Sequence, residues 1–124
     1  MNRIEQHPIL DIPEAEEVLF DYNGHQVKGR KGYTIASALH QAGFTVHSHS
    51  LEDRERSLEC GIGKCGACEM LVDGKIKRIC ITPVDNVKTV KEIPHDYLPE
   101  LEDAKQEPQK VYYTQVAIVG AGPA

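Results

Sequence analysis

The chain has 124 residues and a formal net charge of −5, with 14 basic against 19 acidic side chains. This length predicts one small domain with some residue to spare, and the acidic balance excludes a nucleic-acid binder, because neutralising phosphates needs a clustered basic surface and none is visible. With two Phe and no Trp the apolar core must be modest, so the domain would gain much from a covalent or metal staple.

Residues 1–15 hold two prolines and no sustained period, which predicts an extended lead-in. They contain no apolar run long enough for a signal peptide, and no segment of the chain approaches the length that spans a bilayer, so the expected location is the cytoplasm, without a membrane partner. From Glu17 the pattern changes. Val18, Phe20 and Tyr22 alternate with Leu19 and Asp21, Asn23-Gly24 interrupts, and His25-Gln26-Val27-Lys28 follows. Asn-Gly between two such runs is a strong hairpin signal, since both central residues of the tight turn need positive φ.

Thr34 can cap a helix whose apolar positions Ile35, Ala38, Leu39 and Ala42 recur at helical spacing, with Gly43 placed to end it. Phe44 to Ser50 predicts a short strand, and the charged run Glu52 to Arg56 an exposed connection. A second hairpin is expected around Asp73-Gly74, between Met70-Leu71-Val72 and a strand from Ile76 to Ile81. Asn86 to Ile93 predicts a last strand. After Pro94 the composition shifts to prolines among Glu100, Glu102, Asp103 and Glu107, a solvated linker over 94–110. The end, 111–124, reads as an apolar strand, Val116-Ala-Ile-Val, running into Gly120-x-Gly122.

All four cysteines lie between Cys60 and Cys80, at C-x4-C-x2-C-x11-C: Cys60, Cys65, Cys68 and Cys80. In a reducing compartment they are metal ligands more readily than disulfides. The eleven-residue gap has a mechanical reading as strand, turn and strand. If Val72 pairs with Lys75, continuing the ladder sets Cys80 opposite Ala67, about 5 Å away across the strands, beside Cys68. Three other readings compete. A dithiol, Cys65-Gly-Ala-Cys68, would use half of the thiols and lacks a βαβ setting. Structural zinc usually pairs two short knuckles, and one is missing here. A Rieske centre would need histidines in the motif, and there are none. The spacing best suits two irons bridged by two sulfides. Gly61, Gly63 and Gly66 would admit the backbone close to that anionic centre, with N–H groups turned on the sulfurs and Lys64 adding charge.

From about residue 16 to 93 the chain resembles the plant-type 2Fe-2S ferredoxin superfamily. The resemblance implies an α+β, β-grasp ferredoxin-like mixed sheet with one packed helix and a cysteine-rich cluster loop. It also implies that Cys60 and Cys65 hold one iron, and Cys68 and Cys80 the other. The short final gap is similar to that in small subunits of molybdenum hydroxylases and in amino-terminal domains of FAD-dependent amine and imino-acid oxidoreductases of the sarcosine oxidase, proline dehydrogenase and hydrogen cyanide synthase type. The molybdenum branch carries four further cysteines downstream, which this sequence lacks.

Val116-Ala-Ile-Val-Gly120-Ala-Gly122 is similar to the first strand and turn of an FAD-binding Rossmann unit, but without the helix and acidic ribose ligand the chain as given would not bind FAD itself. The expected function is electron transfer by a 2Fe-2S domain to or from a flavoprotein domain or subunit of a larger oxidoreductase. No catalytic residue is expected here, and the alternatives are a zinc-stabilised interaction domain or a molybdenum hydroxylase subunit. His47-Ser-His49 could place two rings on one strand face, but without a third ligand they read as surface polar residues.

Overall fold

The computed structural model describes residues 3–99 and 110–120. Strands β1 (Glu17–Tyr22) and β2 (His25–Arg30) pair antiparallel, from Glu17↔Arg30 to Tyr22↔His25. Their turn has φ of 49° at Asn23 and 84° at Gly24, the two consecutive positive angles whose twist matches that of the flanking strands. The alternation read in β1 sorts its side chains by face. Phe20 and Tyr22 are buried, and Leu19 between them is exposed.

Helix α1 (Ile35–Gln41) starts at Thr34, whose Oγ1 accepts the Ser37 N–H at 3.2 Å. Gly43, at φ 93°, follows the cap residue Ala42. The helix buries Ile35, Ala36, Ala38 and Leu39. Ala42, expected on that face, is exposed, because the helix has already ended at Gln41.

The stretch after Phe44 is more economical than expected. Only β3 (Ser48–His49) forms, and it pairs with β4 (Glu55–Arg56) in a separate two-stranded sheet. The charged run is therefore partly strand.

Strands β5 (Glu69–Val72) and β6 (Lys75–Arg78) make the second hairpin in the expected register, Val72↔Lys75 through Glu69↔Arg78. Its turn repeats the first, with φ of 48° at Asp73 and 80° at Gly74. The last strand, β7 (Thr89–Lys91), is shorter than the expected 86–93, since Asn86 is in a turn with φ 60°. It runs parallel to β1 and antiparallel to β5. The sheet order is β2-β1-β7-β5-β6, a mixed sheet with one short helix: the small α+β, β-grasp arrangement.

The Asp73 carboxylate ties the second hairpin to β7 by accepting the N–H groups of Lys88 at 3.1 Å and Thr89 at 2.8 Å. Phe20, Tyr22, Val27, Ile35, Leu39, Met70, Val72, Ile79, Val84 and Val90 fill the core between sheet and helix. Each such side chain contributes roughly 1.5–3 kcal/mol on burial.

Residues 110–120 form neither helix nor strand, and Val116, Ile118 and Val119 are exposed. The strand expected there is not made. Extended backbone becomes a strand only when a neighbour takes its hydrogen bonds, and no described residue pairs with it. Gly122 and most of the 94–110 linker lie outside the described residues. No helix among the described residues is long and apolar enough to cross a membrane.

Candidate metal centre

The cysteine loop leaves the two-stranded sheet after β4 and enters the main sheet at β5. Along it Gly61, Gly63 and Gly66 have φ of 65°, 73° and 76°. These left-handed positions turn successive backbone N–H groups towards a common centre, a geometry that suits anions. Accordingly the N–H groups of Ile62, Lys64 and Cys65 donate to Cys60 Sγ at 3.5, 3.4 and 3.5 Å. Ala67 N–H donates to Cys65 Sγ at 3.4 Å.

The backbone donors of Cys65, Ile62 and Lys64, in that order, bring the Cys60 thiol down to about 6, with the Cys65 side chain adding to the effect. Thiolate is the ligand form of cysteine, and the loop is built to carry one. Gly63 meets a second constraint. A Cβ on it would stand 2.6 Å from Cδ1 of Ile81, the residue after Cys80.

Cys68 differs in setting. It is 2% exposed and packs into the core, and burial pushes its thiol pKa up, with the Cys80 backbone partly offsetting this and the Cys80 thiol adding to it.

Cys80 arrives by a route the strand pattern does not foretell. The ladder does not continue to Ala67. It ends with Ile79 N–H donating to Cys68 C=O at 3.2 Å, and the chain then turns, with Ile81 N–H and the Thr82 hydroxyl both donating to Arg78 C=O, at 3.2 and 2.8 Å. Helix α1 holds this turn from above. Its first N–H groups, which have no partner inside a helix, reach out instead, Ile35 N–H to Thr82 C=O at 2.9 Å and Ala36 N–H to Ile79 C=O at 3.1 Å. The residues expected to continue a strand are bent into a turn because the helix end needs their carbonyls.

Cys60 and Cys65 thus stand together through the Cys65 N–H on Cys60 Sγ, and Cys80 follows directly after Ile79, whose N–H donates to Cys68 C=O. Among the described residues no three His, Cys, Asp or Glu side chains close on a single ion. Two couples of sulfur donors, with amides aimed at the outer couple and an apolar wall behind Cys68, fit a dinuclear iron centre whose sulfides complete each metal's coordination.

One supporting residue escapes the motif reading. Arg78 donates from Nη1 to Gly63 C=O at 2.6 Å and from Nε to the Glu69 carboxylate at 3.1 Å, clamping the loop to the hairpin. In the sequence it is one of three basic residues of β6, with Lys75 and Lys77, and nothing local marks it out. Ser48 adds a second anchor, its hydroxyl donating to Ala67 C=O at 2.9 Å.

The two histidines of the 47–49 stretch share no site. His47 is fully buried, against the surface position expected of it, with Nε2 2.8 Å from Nε2 of His40. His49 pairs through Nδ1 with the Glu92 carboxylate. Gly120 has φ 99° and is exposed; nothing described is gathered around it.

A family described as "2Fe-2S iron-sulfur cluster binding domain" matches residues 15–92. A curated relative from Bacillus subtilis (strain 168), a probable subunit of xanthine dehydrogenase, is 44% identical over 43 residues, 31% of this chain and 25% of that protein. Among solved structures, L-proline dehydrogenase from P. horikoshii is similar with a TM-score of 0.59 and 18% identity, over 73% of this chain and 18% of that one. Quinoline 2-oxidoreductase from Pseudomonas putida 86 has a TM-score of 0.49 and 21% identity, over 64% of this chain and 46% of that one. The chain thus spans less than half the length of each of these proteins.

Proposed function

The chain belongs to the 2Fe-2S iron-sulfur cluster binding domain family, and on that premise we propose that Cys60, Cys65, Cys68 and Cys80 hold such a cluster as the electron relay of a larger oxidoreductase. The observation that carries this reading is the convergence of three backbone N–H groups on Cys60 Sγ, an anion cradle at the first of two thiol couples. A cluster held there supplies reversible one-electron transfer.

The chain's own residues do the rest. The loop amides favour negative sulfur over the neutral thiol, the core around Cys68 keeps water from one side, and Arg78 fixes the loop against the hairpin. Cys65 is exposed, and Ile62 and Ile81 stand 66% and 56% exposed nearby, which gives a partner an apolar face to meet close to the donor. Substrate chemistry would belong to that partner. The fold likeness to a proline dehydrogenase and the Gly120-Ala-Gly122 stretch support a flavoprotein partner or domain acting on amines or imino or amino acids. The flanks of the cluster domain are assigned as a lead-in, 1–15, and a linker, 94–110.

A second reading, an electron-transfer subunit beside a molybdenum centre, is favoured by the match to part of a xanthine dehydrogenase. Chemical analysis and the visible spectrum of anaerobically prepared protein test the central assignment. About two irons and two sulfides per chain are expected, with a spectrum that bleaches on one-electron reduction. Colourless protein carrying one zinc and unable to take up iron and sulfide would overturn it.

A further inference from the structure

The lead-in, the end of β2 and α1 together line a cavity of about 480 Å³, within the range of small-molecule sites. Arg3 comes from the lead-in, Arg30 from the end of β2, Tyr33 from the loop before the helix, and Ala38, His40 and Gln41 from the helix itself. Two arginines are among its lining residues and no acidic residue is, in a chain whose net charge is −5.

Arg3 Nη1 is buried and hydrogen-bonds to nothing among the described residues. Neither arginine is ion-paired among them. Glu5 and Glu17 line a neighbouring cavity that shares Arg30; Glu17 stands opposite Arg30 across β1 and β2, but its carboxylate pairs with Lys28. Arg3 as a whole is half-buried, but a buried donor nitrogen left without an acceptor is unfavourable, and a guanidinium prefers a planar or tetrahedral oxyanion that can accept two of its donors. Tyr33 and Ala38 offer an apolar surface for the remainder of such a molecule.

We propose that this cavity is a binding site for a small aromatic or aliphatic organic anion, carrying a carboxylate or a phosphate, held between Arg3 and Arg30. The site is separate from the cysteine loop and goes beyond the electron-relay reading. Its charge complementarity selects against neutral analogues of the same shape.

Calorimetric titration of the full chain tests the proposal, with benzoate, phenyl phosphate and neutral benzamide as probes and the visible spectrum of the same sample reporting the metal centre independently. Binding of one or both anions at concentrations below about 10 mM, with no binding of benzamide, is expected. The tighter anion distinguishes the carboxylate from the phosphate source. Arg30→Gln and Arg3→Gln should each weaken binding by about tenfold or more, and Arg30→Lys should restore part of it, with an unchanged far-ultraviolet spectrum showing that the variants fold.

Equal binding of benzamide, no heat with either anion, or binding indifferent to both glutamine variants would overturn the proposal.

Discussion

Arg78 shows how much one side chain can decide at this site. Its guanidinium spans the cysteine loop and the hairpin, and the shorter of its two bonds goes to the carbonyl of Gly63, where any added side chain would have to push the Ile81 side chain aside. Because Arg78 and Glu69 are each more than a third exposed, solvent screens their ion pair. Arg78→Ala should therefore cost only about 1–2 kcal/mol of stability, mostly through the lost bond to Gly63. It should also move the reduction potential to more negative values, since a fixed positive charge beside an anionic centre favours the reduced state; voltammetry of the variant checks the sign, and an unchanged potential would count against the clamp. Cys80→Ser is a sharper test. Serine should abolish the two-iron spectrum, although Cys80 is the proposed ligand most distant in sequence from the other three. The motif's spacing is what singles out these four cysteines in the sequence. It did not reveal Arg78, because a single basic residue in a strand is indistinguishable from a solvated one until its partner carbonyl is known.

At the scale of elements, turn chemistry was the most readable signal. Asn23-Gly24 and Asp73-Gly74 each marked a hairpin, and both have the positive φ pair that those residues tolerate. Strand ends were less readable. The stretch after Arg78 keeps strand-like residues, Ile79, Cys80 and Ile81, yet it bends because the amino end of α1 requires the carbonyls of Ile79 and Thr82, a tertiary demand no local pattern carries. His47 likewise reads as surface polar in sequence because a histidine between Val46 and Ser48 has no local mark of burial. It is held neutral, burial first and His40 second lowering it from 6.5 to about 4. The unfolded chain takes up this proton near pH 6.5 and the folded one only near 4, so the group costs nothing above pH 6.5 and stability falls as pH drops through that window, by roughly 3 kcal/mol at most. His49 works in the opposite sense. Its pKa is raised, chiefly by the hydrogen bond to Glu92, so its contribution is present below pH 6.5 and fades as pH rises through the raised value. Urea midpoints should be lower at pH 4.5 than at pH 7, and His47→Gln should flatten that fall; an acid slope unchanged in the variant would remove His47 as its source.

For the whole molecule, the order β2-β1-β7-β5-β6 joins two hairpins only through β7, three residues long, and through one helix of seven. A core of this size leaves little margin. Stripping the metal centre by chelation should therefore lower the melting temperature by roughly 10 °C or more, measured by calorimetry on loaded and stripped samples of one preparation. Equal melting temperatures would mean that the thiol couples are already held by the protein alone. The mixed-sheet class was legible because hairpin signals and a capped helix occur in the right sequence, whereas the parallel pairing of β1 with β7 joins residues as distant in sequence as Asp21 and Thr89. That pairing also orders events in time. As the chain is made from its amino end, both hairpins and all four thiols emerge before the strand that joins them, and hairpins close within microseconds. There is consequently an interval during synthesis when all four thiols have emerged but the sheet is still open. Iron and sulfide delivered in that interval would meet a site with a local address and no finished wall around it, so loading and closure of the sheet become successive steps and the centre can be enclosed as the last strand docks.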